Sequence, residues 1–184
     1  GRFRLSRLIR GLGGTETEIS RHVADEDFVL LDAGSLLTVN SSASSPFSPT
    51  SLFAVGRDDP VPVEAAIAAP GRALMPWSPV HPEWYFHANG DLEIHWTRRS
   101  RAGMIWPDHV EVPLAEEIEK YRMELSADDG SVGTIVIEPE VPNVILTVEQ
   151  IDPFRDGNID SMIARIRQIG SYGLSEELVI EIPL

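Results

Sequence analysis

The residues best equipped for chemistry gather in the middle of the chain. His81, His87 and His95 surround the dipeptide Asn89-Gly90, and Asp91 and Glu93 lie between the last two histidines. On a strand, Glu93 and His95 share one face at period two, a disposition that metal ligands can take. No HExxH pattern accompanies them and the histidine spacing is irregular, so surface histidines are expected and no metal or cofactor is. The acidic pairs Asp58-Asp59, Glu116-Glu117 and Asp128-Asp129 raise the paired-carboxylate chemistry of glycoside hydrolysis. Neighbouring side chains on a loop or strand diverge, however. Asp58-Asp59-Pro60 and Asp128-Asp129-Gly130 read as turns in which Asp bonds nearby backbone amides. Ser41–Ser45 lacks the GxSxG context of a nucleophile elbow, and Gly11-Leu12-Gly13-Gly14 lacks the P-loop lysine. The chain is expected to have no catalytic site.

The aromatic residues carry more information. Trp77, Trp84, Tyr85 and Trp106 cluster in sequence around the first strands of the C-terminal part. Exposed Trp and Tyr favour protein interfaces and sugar-stacking platforms, since each offers a large rigid surface with one polar group. Burial tendency sends Trp84 and Trp96 to the core and Trp77 to an interdomain seam. That leaves Trp106, in the loop Gly103–Pro107, as the best external contact. Arg98, Arg99 and Arg101 form a basic run beside it, suited to an acidic partner surface or simply to solvent. Trp77, Trp84, Tyr85, Arg98, Arg99, Arg101 and Trp106 are the candidate interface residues.

The elements that must position these groups are mostly β. In residues 1–76, Phe3 and Leu5 alternate with Arg2 and Arg4 in a short strand pattern. Thr15-Glu16-Thr17-Glu18 then opens a short helix with a capping-box sequence. Phe28–Leu31 reads as a buried strand with Leu36–Val39 as its partner, and Leu52–Val55 and Val61–Val63 as further strands. Asn40–Pro46 is a Ser-rich loop. Residues 77–184 offer seven strand candidates: 83–87, 92–97, 119–125, 134–137, 144–148, 162–169 and 178–182. Seven short strands in about 108 residues match an immunoglobulin-like sandwich. Asn89-Gly90 marks a hairpin. A three-residue loop there puts Trp84 and Phe86 on the face of Leu92, Ile94 and Trp96, whereas a two-residue loop puts Tyr85 there; the former buries more aromatic surface.

Composition narrows the function classes. The 184 residues carry 29 Asp+Glu against 15 Lys+Arg, a net charge of −14 with pI near 4.6. Phosphate-neutralising nucleic-acid binding is therefore disfavoured. No apolar run approaches the roughly 20 residues of a membrane helix, so no membrane span is expected. The absence of cysteine removes disulfides, thiolate zinc sites and cysteine nucleophiles. Residues 1–76 hold seven Arg and nine acidic residues, net −2, while residues 77–184 hold eight basic and twenty acidic residues, net −12. The change coincides with the Pro-rich stretch 70–79, which places a domain boundary near residue 76. The chain opens Gly1-Arg2-Phe3 without an initiator Met and is expected to be a segment of a longer polypeptide.

Leu92-x-Ile94-x-Trp96, Tyr121-x-Met123-x-Leu125 and Ile166-x-Gln168-x-x-Ser171-x-Gly173-x-Ser175 resemble a fibronectin type III domain. The resemblance implies a core tryptophan on the second strand. It departs from the family at Met162, where a sixth-strand tyrosine usually makes a corner hydrogen bond. A narrower resemblance covers nearly the whole chain. Phe3–Gly11, Gly14-Thr15-Glu16, Ile19, His22 and Phe28–Asp32 are similar to a segment of the large tail-tip, or host-specificity, proteins of gene transfer agents and related siphophages. Ser78–His81, Trp96–Arg101 and Glu111–Leu114 continue in the same order.

That resemblance implies a mainly β chain. Residues 1–76 would be the C-terminal part of a hub-type β-domain with one short helix, and residues 77–184 a fibronectin type III-like sandwich. It also implies a homotrimeric baseplate hub in a virion, partnered by other tail-tip proteins and tail fibres, with host cell-surface glycan as a further contact. The competing expectation is a carbohydrate-binding accessory module of a hydrolase, stacking sugar on Trp106, Tyr85 and Trp84.

Overall fold

The structure, a computed structural model, describes residues 4, 6–11, 15–32, 34, 50–67, 71–102, 112–156 and 159–184. The predicted strands at Phe3–Leu5 and Leu36–Val39, the Ser-rich loop and Trp106 all fall wholly or partly outside them. The chain divides into two compact units, Gly1–Leu74 and Met75–Leu184.

In the first unit, the capping-box sequence starts a helix over Glu16–Arg21, which winds as a 3-10 helix. Its Glu18 carboxylate receives Arg21 at 3.0 Å and also Arg72, and these cations hold the carboxyl below its usual range. Strands β1 (Thr50–Ala54) and β2 (Val63–Ile67) pair antiparallel, with Leu52 opposite Ala65 and Ala54 opposite Val63. The buried strand predicted at Phe28–Leu31 does not form. These residues form no regular element and are exposed, Val29 by 73%. An apolar run becomes a strand only where a neighbouring edge takes up its backbone groups, and none of the described strands pairs with this one.

The second unit is a fibronectin type III-like sandwich. Its strands are β3 (Val80–Phe86), β4 (Leu92–Thr97), β5 (Tyr121–Ala127), β6 (Ile135–Ile137), β7 (Asn143–Leu146), β8 (Ser161–Gly170), β9 (Gly173–Leu174) and β10 (Leu178–Pro183). One sheet runs β3-β4-β7, the other β10-β8-β5-β6, with β9 paired to β8, all antiparallel. The period-two pattern decides which side chains meet. Leu92, Ile94 and Trp96 face Tyr121, Met123, Leu125, Met162, Ala164 and Ile166 across the interior, each at 4% exposure or less. A large side chain so buried contributes about 1.5–3 kcal/mol. Trp96 meets Tyr121 edge-to-face at 5.1 Å between ring centres.

The β3–β4 hairpin takes the three-residue loop. His87 N–H donates to the Asp91 carbonyl at 2.8 Å, and Gly90 N–H closes the turn on the His87 carbonyl at 2.9 Å. Gly90 stands at φ 94°, where a side chain would be strained and would press on Val148. Phe86 therefore pairs with Leu92 and Trp84 with Ile94.

One helix, α1 (Val148–Arg155), was not foreseen; the strand expected over 144–148 stops at Leu146 and turns into it. Thr147 N–H donates to Gln150 Oε1 at 3.0 Å in a capping box, and Asp91 Oδ1 accepts the Val148 N–H at 3.0 Å. The helix sends Ile151 and Phe154 into the core, both fully buried. Met162, where the fibronectin type III resemblance leads one to expect a tyrosine, is fully buried as well and fills its site as an apolar side chain.

Two polar features stand out in this apolar frame. Gln168, opposite Tyr121, is fully buried with neither amide atom hydrogen-bonded. Arg101 reaches Glu116 at 2.8 Å and the Ala115 carbonyl at 3.0 Å, while Glu116 Oε2 accepts the Ser171 N–H at 2.9 Å. That carboxylate ties the segment after β4 to the turn before β9. Burial pushes the Glu116 carboxyl up, but Arg101 and the Ser171 amide outweigh it and hold it below its usual range.

An unpaired buried amide costs about 1–3 kcal/mol, so Gln168→Leu is expected to raise the midpoint of chemical denaturation. A lowered midpoint in urea titrations would show that the amide has partners in solution. Glu116→Gln strands Arg101 and is expected to cost on the order of 3 kcal/mol near neutral pH. Because the native carboxyl is depressed, its contribution is present above the ordinary glutamate value of 4.5 and is lost as pH falls through the lower native value. The gap between parent and Glu116→Gln in urea midpoints should therefore narrow on acidification.

Candidate functional site

The outer face of the β3-β4-β7 sheet follows directly from the register that builds the core. With Leu92, Ile94 and Trp96 inward, Glu93 and His95 point outward. Tyr85 lies opposite Glu93, Ile145 lies opposite Glu93 on the other side, and Glu83 and Asn143 flank His95. His87 follows β3 and reaches Glu93 on the same face.

These side chains converge on one carboxylate. Tyr85 Oη donates to Glu93 Oε2 at 2.5 Å, His87 Nε2 lies 2.8 Å from the same oxygen, and His95 Nε2 lies 2.6 Å from Oε1. Glu93 is only 9% exposed, whereas Tyr85 is 46% exposed. The Tyr85 bond, with help from both imidazoles, holds the Glu93 carboxyl below its usual range against the opposing effect of burial. The same bond, together with burial, pushes the Tyr85 hydroxyl up. The Tyr85 ring lies nearly parallel to His95, with 14° between the planes and 5.9 Å between centres, and edge-on to His87 at 4.9 Å. Beside the cluster is an open depression of about 440 Å³ lined by His87, Ala88, Asn89, Asp91 and Ile145.

Glu93 and His95 thus share a face at the spacing read from the sequence, and His87 joins them. The contacts are hydrogen bonds between a carboxylate and its donors. Among the described residues, no group of three His, Asp or Glu side chains is disposed to hold a metal ion. His81 stands apart in the β3 bulge at φ 50°. The part missed from the sequence was Tyr85 as a donor to Glu93. Its signal was present, because the three-residue hairpin loop sets residue 85 opposite residue 93.

The candidate interface residues scatter. Trp84 shares the inward face of β3 with Phe86, meeting its ring edge-to-face at 5.9 Å, but it sits at the rim and remains 36% exposed. Trp77 is half-buried beneath the Arg99 guanidinium, 5.0 Å from the ring centre. Arg98 donates to the Val112 carbonyl at 2.7 Å and lies 3.7 Å from Glu119. Arg101 is engaged by Glu116. The basic run is therefore held largely by its own unit, and Tyr85 is the candidate that belongs to the outer cluster.

No family profile matches the chain, and no curated protein matches it either. Several solved structures are similar at low identity. Domains d3–d4 of the rat CD45 extracellular region share 6% identity over 89% of this chain and 78% of that one, with a TM-score of 0.42. The FN5 domain of Drosophila Lar shares 11% identity over 60% of this chain and 99% of that one, with a TM-score of 0.35. Titin kinase with its flanking domains shares 15% identity over 56% of this chain, with a TM-score of 0.38, and the match spans only 16% of that protein.

Proposed function

We propose that this chain is a structural, non-enzymatic component of a phage-like tail tip, the C-terminal segment of a baseplate hub. It works by assembly of rigid β modules in a virion. The first unit completes a hub β-domain within a homotrimer, and the acidic sandwich supports fibres and contact with the host surface.

The observation that carries this reading is the state of the first unit's apolar side chains. Phe53, Val55, Val61 and Val63 on and around the β1–β2 hairpin are each more than 60% exposed, as are Leu30 and Leu31. Among the described residues, every buried hydrophobic side chain lies at residue 92 or beyond. A two-stranded hairpin is marginal by itself in water, and contiguous exposed apolar surface marks an interaction site. A unit of this kind suits a protein whose neighbours supply the missing layer, as in a hub, better than a self-contained enzyme. The sequence resemblance to tail-tip proteins supports taking that assembly to be a tail-tip hub.

Two measurements test the proposal. Immunogold labelling with an antibody to this segment should place density at the tip of tailed particles from the producing cells; particles without label would overturn it. Val63→Asp, on the hairpin face shared with Leu52, Ala54 and Ala65, should sharply reduce incorporation into particles while near-ultraviolet circular dichroism of the sandwich tryptophans stays unchanged. Incorporation at the parent level would mean that this face is not covered by the assembly.

A further inference from the structure

The Tyr85–Glu93 cluster has an electrostatic character that narrows what it can bind. A carboxylate only accepts, so each group bonded to Glu93 must present its hydrogen there. Both histidines must then carry a proton on Nε2, and in the neutral ring Nδ1 is left as an acceptor. The Tyr85 hydroxyl hydrogen is likewise committed to Glu93, which leaves the ring face outward. A phenol donating to an anion has a more electron-rich ring. Each group of the cluster thus offers electron density outward: the Tyr85 face, two imidazole lone pairs and the remaining lone pair of Glu93. The charged groups at the rim are Glu83 on β3 and Asp91 before β4, while β7 contributes the uncharged Asn143 and Ile145. No cation lies among these outward residues of the three strands.

We propose that this face is a docking surface for an arginine side chain of a partner protein. The guanidinium stacks on the exposed Tyr85 ring, which His95 backs, and donates to an imidazole Nδ1 and to Glu93. Three features select arginine. Tyr85, stacked on His95 within 14° of parallel and 46% exposed, offers a flat ring that a planar guanidinium fits better than a compact ammonium. The exposed atoms are acceptors and π faces, and guanidinium has donors only. The surrounding field is negative, with 29 acidic residues in the chain against 15 basic ones, so anionic ligands are repelled and basic partners are steered in. The rings are already fixed by their bonds to Glu93, so little side-chain entropy is lost on docking. This inference rests on the side chains of the sandwich and is independent of the tail-tip proposal. Particle labelling can fail while arginine docking succeeds, and the reverse.

The test uses the full 184-residue chain, with ring resonances assigned by NMR and an arginine tripeptide, acetyl-Gly-Arg-Gly-amide, as probe. Titration should shift the Tyr85, His87 and His95 rings. The citrulline tripeptide, the same shape without the charge, should bind about tenfold more weakly, a difference within the range of a cation–π contact plus a charged hydrogen bond. Tyr85→Leu should lose about the same factor, whereas Tyr85→Phe, which keeps the ring face, should retain most of the binding. Equal affinity for the arginine and citrulline peptides overturns the proposal. So does absence of shifts with the arginine peptide, or maltohexaose shifting the same rings at lower concentration than the arginine peptide does.

Discussion

The register of β4 between β3 and β7 is the constraint on which the second unit depends. Side chains alternate along a strand, so a slip of one residue exchanges the two faces completely. In the observed register Leu92, Ile94 and Trp96 line the interior, and Glu93 and His95 face outward. Slipped by one, the strand would bury a carboxylate and an imidazole among Met123, Leu125 and Ile166. It would also place two aliphatic side chains and an indole in water. The penalty for an unpaired buried charge exceeds that of any single contact in the sheet. The core and the outer cluster are two consequences of one pairing. The hairpin turn at Gly90, with its positive φ, holds that pairing at one end, and Asp91 holds it again by accepting the first amide of α1.

The polar chemistry of the sandwich divides into bonds that hold it together and groups left for something else. Arg101, Glu116 and Ser171 belong to the first kind, since Glu116 is almost wholly shielded and each of its oxygens has a donor. On the other sheet, Arg165 and Arg167 on β8 both reach Glu177, and Arg165 also reaches Ser126 on β5. That face is tiled with opposite charges, which contribute little to stability singly but leave no strong field. The β3-β4-β7 face differs. Its carboxylate is surrounded by the Tyr85 hydroxyl and the His87 and His95 imidazoles.

Much of this was legible in the residues. Alternation located six of the seven predicted sandwich strands within about two residues at each end, since a strand with one buried face must alternate. The hairpin register was readable from loop length and aromatic burial. The strand expected over 144–148 ended early because Thr147-x-x-Gln150 is a capping box, a local signal that outweighed the apolar run before it. Pro153 inside α1 obscured the helix further, because proline interrupts the backbone ladder there. Phe28–Leu31 misled for the opposite reason. Local β propensity says nothing of whether an edge is available to pair with. The candidate site was half legible: period two placed Glu93 and His95 together, but the convergence of Tyr85 and His87 depends on side-chain reach across strands, which spacing alone does not convey.

The contrast between the two units bears on how such a chain can be stable. In the second, two sheets and a helix exclude water from a contiguous set of side chains, which is the minimum a β-sandwich needs to fold by itself. In the first, Ala54, Val63 and Ala65 on one face of the hairpin are exposed and Leu52 beside them is half-buried. Apolar surface stabilises a fold only when something else covers it, and in the proposed assembly the neighbours would supply to the first unit what the second gains internally. The first unit's order should then depend on assembly, while the sandwich keeps its own.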